Sequence, residues 1–216
     1  MTDRVHVAIA VFDRFTALDA VGPYEVLQRV PEIDVTFVGH ARGEVRSDNR
    51  MLGLVADAEF EDVPQPDVVV FPGGVGTREL EHDERVLAWI KAAHARSRFT
   101  TSVCTGSLVL GAAGLLEGLE ATTHWACYGE LAAHGVTPTA RRVVAHPERR
   151  IITAAGVSSG IDMALLLVEL LVDATAARAA QLMIEYDPQP PFDCGAVSKA
   201  DDTVLQRVAA YASVRE

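Results

Sequence analysis

The residue best suited to chemistry is Cys104, in the segment TSVCTGS (101–107). A strongly apolar β-run ends at Val103, the cysteine follows, and a helix of small residues begins at once. Such a strand–turn–helix elbow holds a side chain at the carboxyl edge of a parallel sheet, where open α/β folds bind ligands. A helix N-terminus behind the sulfur presents partial positive charge and unpaired N–H groups. Both favour the thiolate and predict a lowered pKa, as a thiol nucleophile requires. Gly106 leaves room for close packing behind the bend. A free cysteine is otherwise a small buried hydrophobe, and Cys127 and Cys194, which lack such a junction, are assigned that structural part.

Other candidates carry two readings each. Gly73 and Gly74 end the run DVVVFPGG (67–74). Glycines there let backbone N–H groups approach a substrate and stabilise developing negative charge, or simply end a strand in a turn. The following GGVGTRE lacks the lysine of a phosphate loop. Asp19, ahead of helix-forming residues and Pro23, has the composition of a helix N-cap. Trp125 suits an apolar wall or the core, and Ser158 and Ser159 suit caps of the helix they open. The seven histidines include no pair at ligand spacing, and no Cys-x-x-Cys occurs. The expectation is therefore no metal, and no nucleotide or flavin motif calls for a cofactor.

The elements that must position these residues alternate between strand and helix patterns. This predicts a mostly parallel sheet covered by helices, with one domain over 1–216. Strands are expected at VHVAIAVF (5–12), IDVTFVG (33–39), DVVVFPGG and RFTTSV (98–103), and a hairpin over 140–153 turning at HPER. Helices are expected over 17–29, after the cap Asp83, over 105–114, 157–172 and 174–186, and after Asp201 or Asp202. Pro23 is compatible with its helix only in the first turn. The helix 157–172 is apolar on nearly every face, so it packs in the core or across a subunit boundary.

A chain of 216 residues buries enough surface to need no staples. Its net charge of -11 argues against nucleic acid and anionic membranes as partners. An odd, sparse set of three cysteines reads as reduced thiols. The N-terminal apolar run has no cleavage site after it, and the longest apolar stretch, Ile161 to Val172, is too short to span a bilayer. A cytoplasmic address is the expectation.

Six blocks resemble the ThiJ/PfpI superfamily, relatives of class I glutamine amidotransferases: LDAVGPYEVL (18–27), VVVFPGG (68–74), TSVCTGSLVLGAAGLLEG (101–118), ATTHW (121–125), GVSSGID (156–162) and IEYDPQPPFD (184–193). Within that superfamily the CTGSLVLGAAGLL and ATTHW blocks and the tail look most like the isonitrile hydratases. The chain departs from three other branches. Thr105 stands where the protease-like members have histidine, and Asp19 where the glyoxalase and deglycase-like members have glutamate. The helix-turn-helix module of the related transcriptional regulators is not expected before the end at Glu216.

The resemblance implies a flavodoxin-like α/β/α sandwich, frequently a homodimer, and site roles for Asp19, Cys104 and Thr105. The implied reaction adds water to an isonitrile through a cysteine thioimidate and releases an N-substituted formamide. Asp19 would give and take the proton, provided burial and the nearby sulfur raise its pKa, and Thr105 would orient Asp19 or the water. His124 would line the pocket near the cysteine. The same residues also suit a redox sensor with an oxidisable elbow thiol, or a ligand-binding regulator.

Overall fold

The computed structural model describes residues 4–212. They form two compact units, one reaching Ile184 and the other beginning at Glu185. In the first, the chain runs through β1 (Val5–Ala10), α1 (Ala17–Leu27) and β2 (Ile33–Gly39). The short strands β3 (Gly43–Arg46), β4 (Gly53–Ala56) and β5 (Ala58–Glu59) follow, then β6 (Val68–Phe71), α2 (Thr77–Leu80), α3 (Glu84–Arg96) and β7 (Phe99–Val103). Next come α4 (Gly106–Ala112), β8 (Glu120–Ala121), α5 (Tyr128–Ala132) and β9 (Thr137–Pro138). The hairpin β10 (Val143–His146) and β11 (Ile151–Ala154) leads into α6 (Ser159–Leu171) and α7 (Ala174–Met183). The second unit carries α8 (Asp202–Ala212), whose Asp201 side chain accepts the Val204 N–H at 2.9 Å.

The main sheet has the order β10-β11-β7-β6-β1-β2-β5, parallel except for the β10–β11 pair. Its middle strands are buried along their length, as continuous valine and isoleucine runs require when helices cover both faces. The helices pack in two groups, α1 with α6 and α7, and α4 with α2, α3 and α5. This is the mostly parallel, helix-flanked sheet the alternation predicts, in the flavodoxin-like architecture that the resemblance implies. After β1 the chain builds β2 and β5 on one side, then returns to build β6, β7 and β11 on the other. The carboxyl ends of β1 and β6 therefore flank the point where strand order reverses, where such folds bind ligands.

Local expectations meet mixed outcomes. Asp83 caps α3 by accepting the Arg85 and Val86 N–H groups. The 140–153 hairpin forms, with Arg150 in the left-handed region after the turn. Pro23, however, lies inside α1 rather than in its first turn. Its ring is not idle there: a Cβ on Gly160 would lie 3.2 Å from Pro23 Cγ, so the proline fills the contact between α1 and α6. Helix α7 stops at Met183, short of 186, because Glu185 takes a φ of 52°. Ser158 holds the N-cap position of α6, but neither its side chain nor that of Ser159 caps the helix. Ser158 Oγ accepts from Arg142, and Ser159 Oγ donates to the Gly156 carbonyl. The β3–β4 hairpin has no counterpart in the expected elements. Among the described residues no helix is long and apolar enough to cross a membrane.

Candidate active site

Cys104 lies one residue past β7 with φ at 56°, left-handed backbone that a non-glycine residue occupies at a cost of about 1–3 kcal/mol. Hydrogen bonds hold the kink. The Cys104 N–H donates to the Ala154 and Ala155 carbonyls, both at 3.0 Å. The Cys104 carbonyl accepts the hydroxyls of Thr123 at 3.0 Å and Ser107 at 3.1 Å. Behind the bend, a Cβ on Gly106 would lie 2.1 Å from the Phe71 carbonyl oxygen, so the start of α4 presses directly on the end of β6. The elbow is therefore present, and Gly106 serves it as the sequence suggests.

The sulfur is nearly buried, with Cys104 5 % exposed, but its surroundings are polar. The Asp19 carboxyl and the backbone N–H groups of Thr105 and Val157 face it. Asp19 is the third residue of α1 and fully buried; Thr16 holds the N-cap position, so the cap reading of Asp19 fails. Instead Asp19 Oδ2 accepts the Gly73 N–H at 3.0 Å, while Oδ1 has no hydrogen-bond partner among the described residues. Burial pushes this carboxyl up from 3.8 to about 7; the Gly73 N–H and the thiol pull it down, and Asp48 adds to the rise.

Burial also pushes the Cys104 thiol well above its ordinary range, and the Asp19 carboxylate adds to that rise, against the Thr105 and Val157 N–H groups. The lowered thiol pKa expected from the helix behind the sulfur is thus corrected. Helix α4 has only seven residues, and the sulfur leaves water to face a carboxylate. The two groups do not both ionise. As Asp19 loses its proton near neutrality, the thiol keeps its own.

The glycine turn after β6 holds this pair in place. Gly74 N–H donates to Thr105 Oγ1 at 2.9 Å, and that hydroxyl returns a bond to the Gly74 carbonyl at 3.2 Å. Both amides imagined as approaching a substrate are therefore engaged, Gly73 by Asp19 and Gly74 by Thr105. The Thr105 hydroxyl does not bond Asp19, because Gly74 occupies it; its hold on the carboxyl runs through the Gly73–Gly74 turn. A Cβ on Gly73 would lie 2.5 Å from Thr105 N and 2.8 Å from Asp19 Oδ2, so only glycine fits between them.

His124 follows Thr123, the residue bonded to the elbow carbonyl, and its Nδ1 accepts the Ala126 N–H at 3.3 Å. A Cβ on Gly156 would lie 2.8 Å from His124 Cδ2, so the ring packs on the segment that carries Val157. Burial, then Arg78, hold this imidazole below its usual pKa. Trp125 is 41 % exposed with its ring 5.3 Å from that of His124, outside the core. The structure thus brings Asp19, Cys104, Thr105, Gly73 and Gly74 together and sets His124 beside the same loop. Sequence reasoning missed Val157, Thr123 and Asp48. Valine is the last residue expected at a φ of 38°, and Asp48 lies in a loop with no pattern of its own.

The profile of the DJ-1/PfpI family matches residues 5–170. Isonitrile hydratase of Pseudomonas putida is 42% identical over 201 residues, 93% of this chain and 87% of that protein. The HTH-type transcriptional regulator GbdR of Pseudomonas aeruginosa is 30% identical over 117 residues, 54% of this chain but 32% of the regulator. The crystal structure of a ThiJ/PfpI family protein from Pseudomonas syringae superposes with a TM-score of 0.91 at 39% identity, covering 97% of this chain and 86% of that one. With a profile that runs from β1 into α6 across the whole sheet and its elbow, the chain belongs to the DJ-1/PfpI family.

Proposed function

We propose that the protein is an isonitrile hydratase working in the cytoplasm, with Cys104 as nucleophile and Asp19 as the group that moves the proton. The observation that carries this reading is a carboxyl poised to titrate at about 7 and facing the sulfur of a strained elbow. The 42% identity to a relative named isonitrile hydratase supports the choice of substrate class.

The carboxylate takes the Cys104 proton as sulfur attacks the terminal carbon of R–N≡C, then hands that proton to the same carbon. A C–S and a C–H bond form, giving the thioimidate R–N=CH–S–Cys. Asp19 next takes one proton from water as its oxygen adds to this carbon and passes that proton to the nitrogen, giving R–NH–CH(OH)–S–Cys. Asp19 then takes the remaining hydroxyl proton as the C–S bond breaks with its electron pair on sulfur, R–NH–CHO leaves, and Asp19 returns this proton to the thiolate. Thr105, Gly73 and Gly74 fix the carboxyl, while His124 and Trp125 wall the organic substituent. The Thr105 and Val157 N–H groups steady the sulfur anion whenever it forms.

The test is turnover of cyclohexyl isonitrile followed by formamide release. The wild type should turn over, Cys104→Ala should show none, and Asp19→Asn should lose about 10²–10⁴-fold. Wild-type rates in either variant would end this reading. It includes assembly as two copies, since α6 and α7 leave Leu170, Leu182 and Met183 exposed. Sedimentation as a monomer at micromolar concentration would remove that part.

A further inference from the structure

The amide that serves the sulfur from α6's side comes from an improbable conformation. Val157 has φ at 38°, and a β-branched residue in that region is a genuine outlier, kept only where its surroundings impose it. Its N–H faces the Cys104 sulfur. Something must hold the segment from Ala154 to Ser159 in this shape, and two of its anchors belong to the elbow itself: the Cys104 N–H on the Ala154 and Ala155 carbonyls.

Ser159 Oγ on the Gly156 carbonyl and the His124 ring beside Gly156 hold its middle, and a further anchor is Arg142, just before β10. Its carbonyl accepts the Ala155 N–H at 2.9 Å, and its guanidinium donates to Ser158 Oγ at 3.2 Å. The same guanidinium pairs through Nε with Asp162 in the first turn of α6. One residue thus grips the strained segment before and after Val157 and ties it to the helix that follows. The pair with Asp162 is half exposed, and pairs of that kind add little to global stability. A planar fork that spans Ser158 and Asp162, with the backbone carbonyl of the same residue on Ala155, is better suited to fixing geometry.

We propose that Arg142 is a positioning residue that holds the Val157 amide on the Cys104 sulfur. It acts on the sulfur through the backbone of 155–158. The inference rests on Cys104 acting as the nucleophile, and its readout needs no isonitrile. The ionisable group facing the sulfur is Asp19 on α1.

The experiment follows alkylation of Cys104 by iodoacetamide, read by mass spectrometry across pH, in the wild type, Arg142→Gln, Asp162→Asn and the neighbouring control Arg141→Gln. Arg141 pairs with Glu120 instead of Asp162. Loss of the Val157 N–H should slow alkylation about tenfold at neutral pH in Arg142→Gln and move its profile to higher pH by about one unit. Asp162→Asn should move it part of the way, and Arg141→Gln not at all. Thermal unfolding of each variant verifies that it is folded, with Asp162→Asn carrying the test should Arg142→Gln not fold. Profiles of the Arg142 and Asp162 variants that overlay the wild type would overturn the proposal and leave the nucleophile reading standing. A wild-type Cys104 that resists alkylation at every pH would overturn both.

Discussion

The Gly73 amide N–H reaches the Asp19 carboxyl at 3.0 Å across the ends of two neighbouring parallel strands. Asp19 follows β1 and Gly73 follows β6, so the bond spans the place where strand order reverses. One carboxyl oxygen is fixed by it. Among the described residues the other stays buried and without a hydrogen-bond partner, free to exchange a proton with the sulfur.

A side chain at Gly73 therefore strikes at the site before it strikes at the fold. In Gly73→Ala the new Cβ would meet the Thr105 backbone N at 2.5 Å, Thr105 Oγ1 at 2.7 Å and Asp19 Oδ2 at 2.8 Å, so the elbow backbone must shift along with both side chains. Overpacking of this kind costs about 3 kcal/mol, the upper end of its range because backbone must give way, a loss a folded domain survives. Displacing a proton-transfer group by about an ångström costs on the order of 10²-fold in rate. The expected protein is folded, with a melting temperature lowered by about 6–12 °C and formamide production down by about that factor. Activity that follows stability alone would contradict the assignment.

Asp19 also makes the native state pH-sensitive in an unusual direction. Its folded pKa of about 7 lies above its ordinary 3.8, so between these values the native state binds the extra proton. Stability from this group is complete below the lower value and is lost as pH rises through the upper one, by about 4 kcal/mol in total. Carboxylates such as Asp83, held low by the His40 and backbone bonds that outweigh burial, work the other way. The difference between wild type and Asp19→Asn isolates the effect. Denaturant unfolding should show the variant gaining stability over wild type as pH goes from 4 to 8. A gap that does not change with pH would mean the carboxyl titrates normally.

Much of this arrangement is legible in the sequence because it rests on local chemistry. Apolar runs ending at Phe71 and Val103, with glycines or small residues just beyond, mark two strand ends and a turn into a helix. The elbow follows from TSVCTGS alone. Asp19 is different: its position three residues into a helix, two strands from the sulfur, resembles a cap until the sheet order is known. The thiol's titration runs opposite to what the sequence predicts, since the helix field is visible in the sequence while the burial and the facing carboxylate are not. Val157 was invisible for a further reason. Its φ is set by contacts with Arg142 and the elbow, which override valine's own preference.

The proposed chemistry needs the pair to hold one proton on sulfur and none on Asp19 at the outset. With the carboxyl titrating at about 7, kcat/KM for an isonitrile should rise through neutrality as pH increases, because the carboxylate is the form that accepts the thiol proton. The residual activity of Asp19→Asn should lack that limb. A wild-type profile that falls through neutrality would instead assign Asp19 the starting role of a protonated acid.

Two glycine-to-alanine changes separate close packing from backbone freedom. Gly106 faces backbone, not a side chain that can turn aside: its Cβ would lie 2.1 Å from the Phe71 carbonyl and 2.7 Å from that of Pro72. Relief requires α4 to lift off the end of β6, which would carry Thr105 and the elbow with it. Gly106→Ala should yield insoluble protein or one melting many degrees lower. Gly129 lies inside α5 with nothing within 4 Å of its would-be Cβ. Alanine there removes unfolded-state freedom and should add about 0.5–1 kcal/mol, a rise of about 1–4 °C for a domain of this size. Calorimetry of both variants measures the contrast. A normal melt for Gly106→Ala would mean that the tight contact behind Cys104 does not hold in solution, and the strained elbow would lose its support.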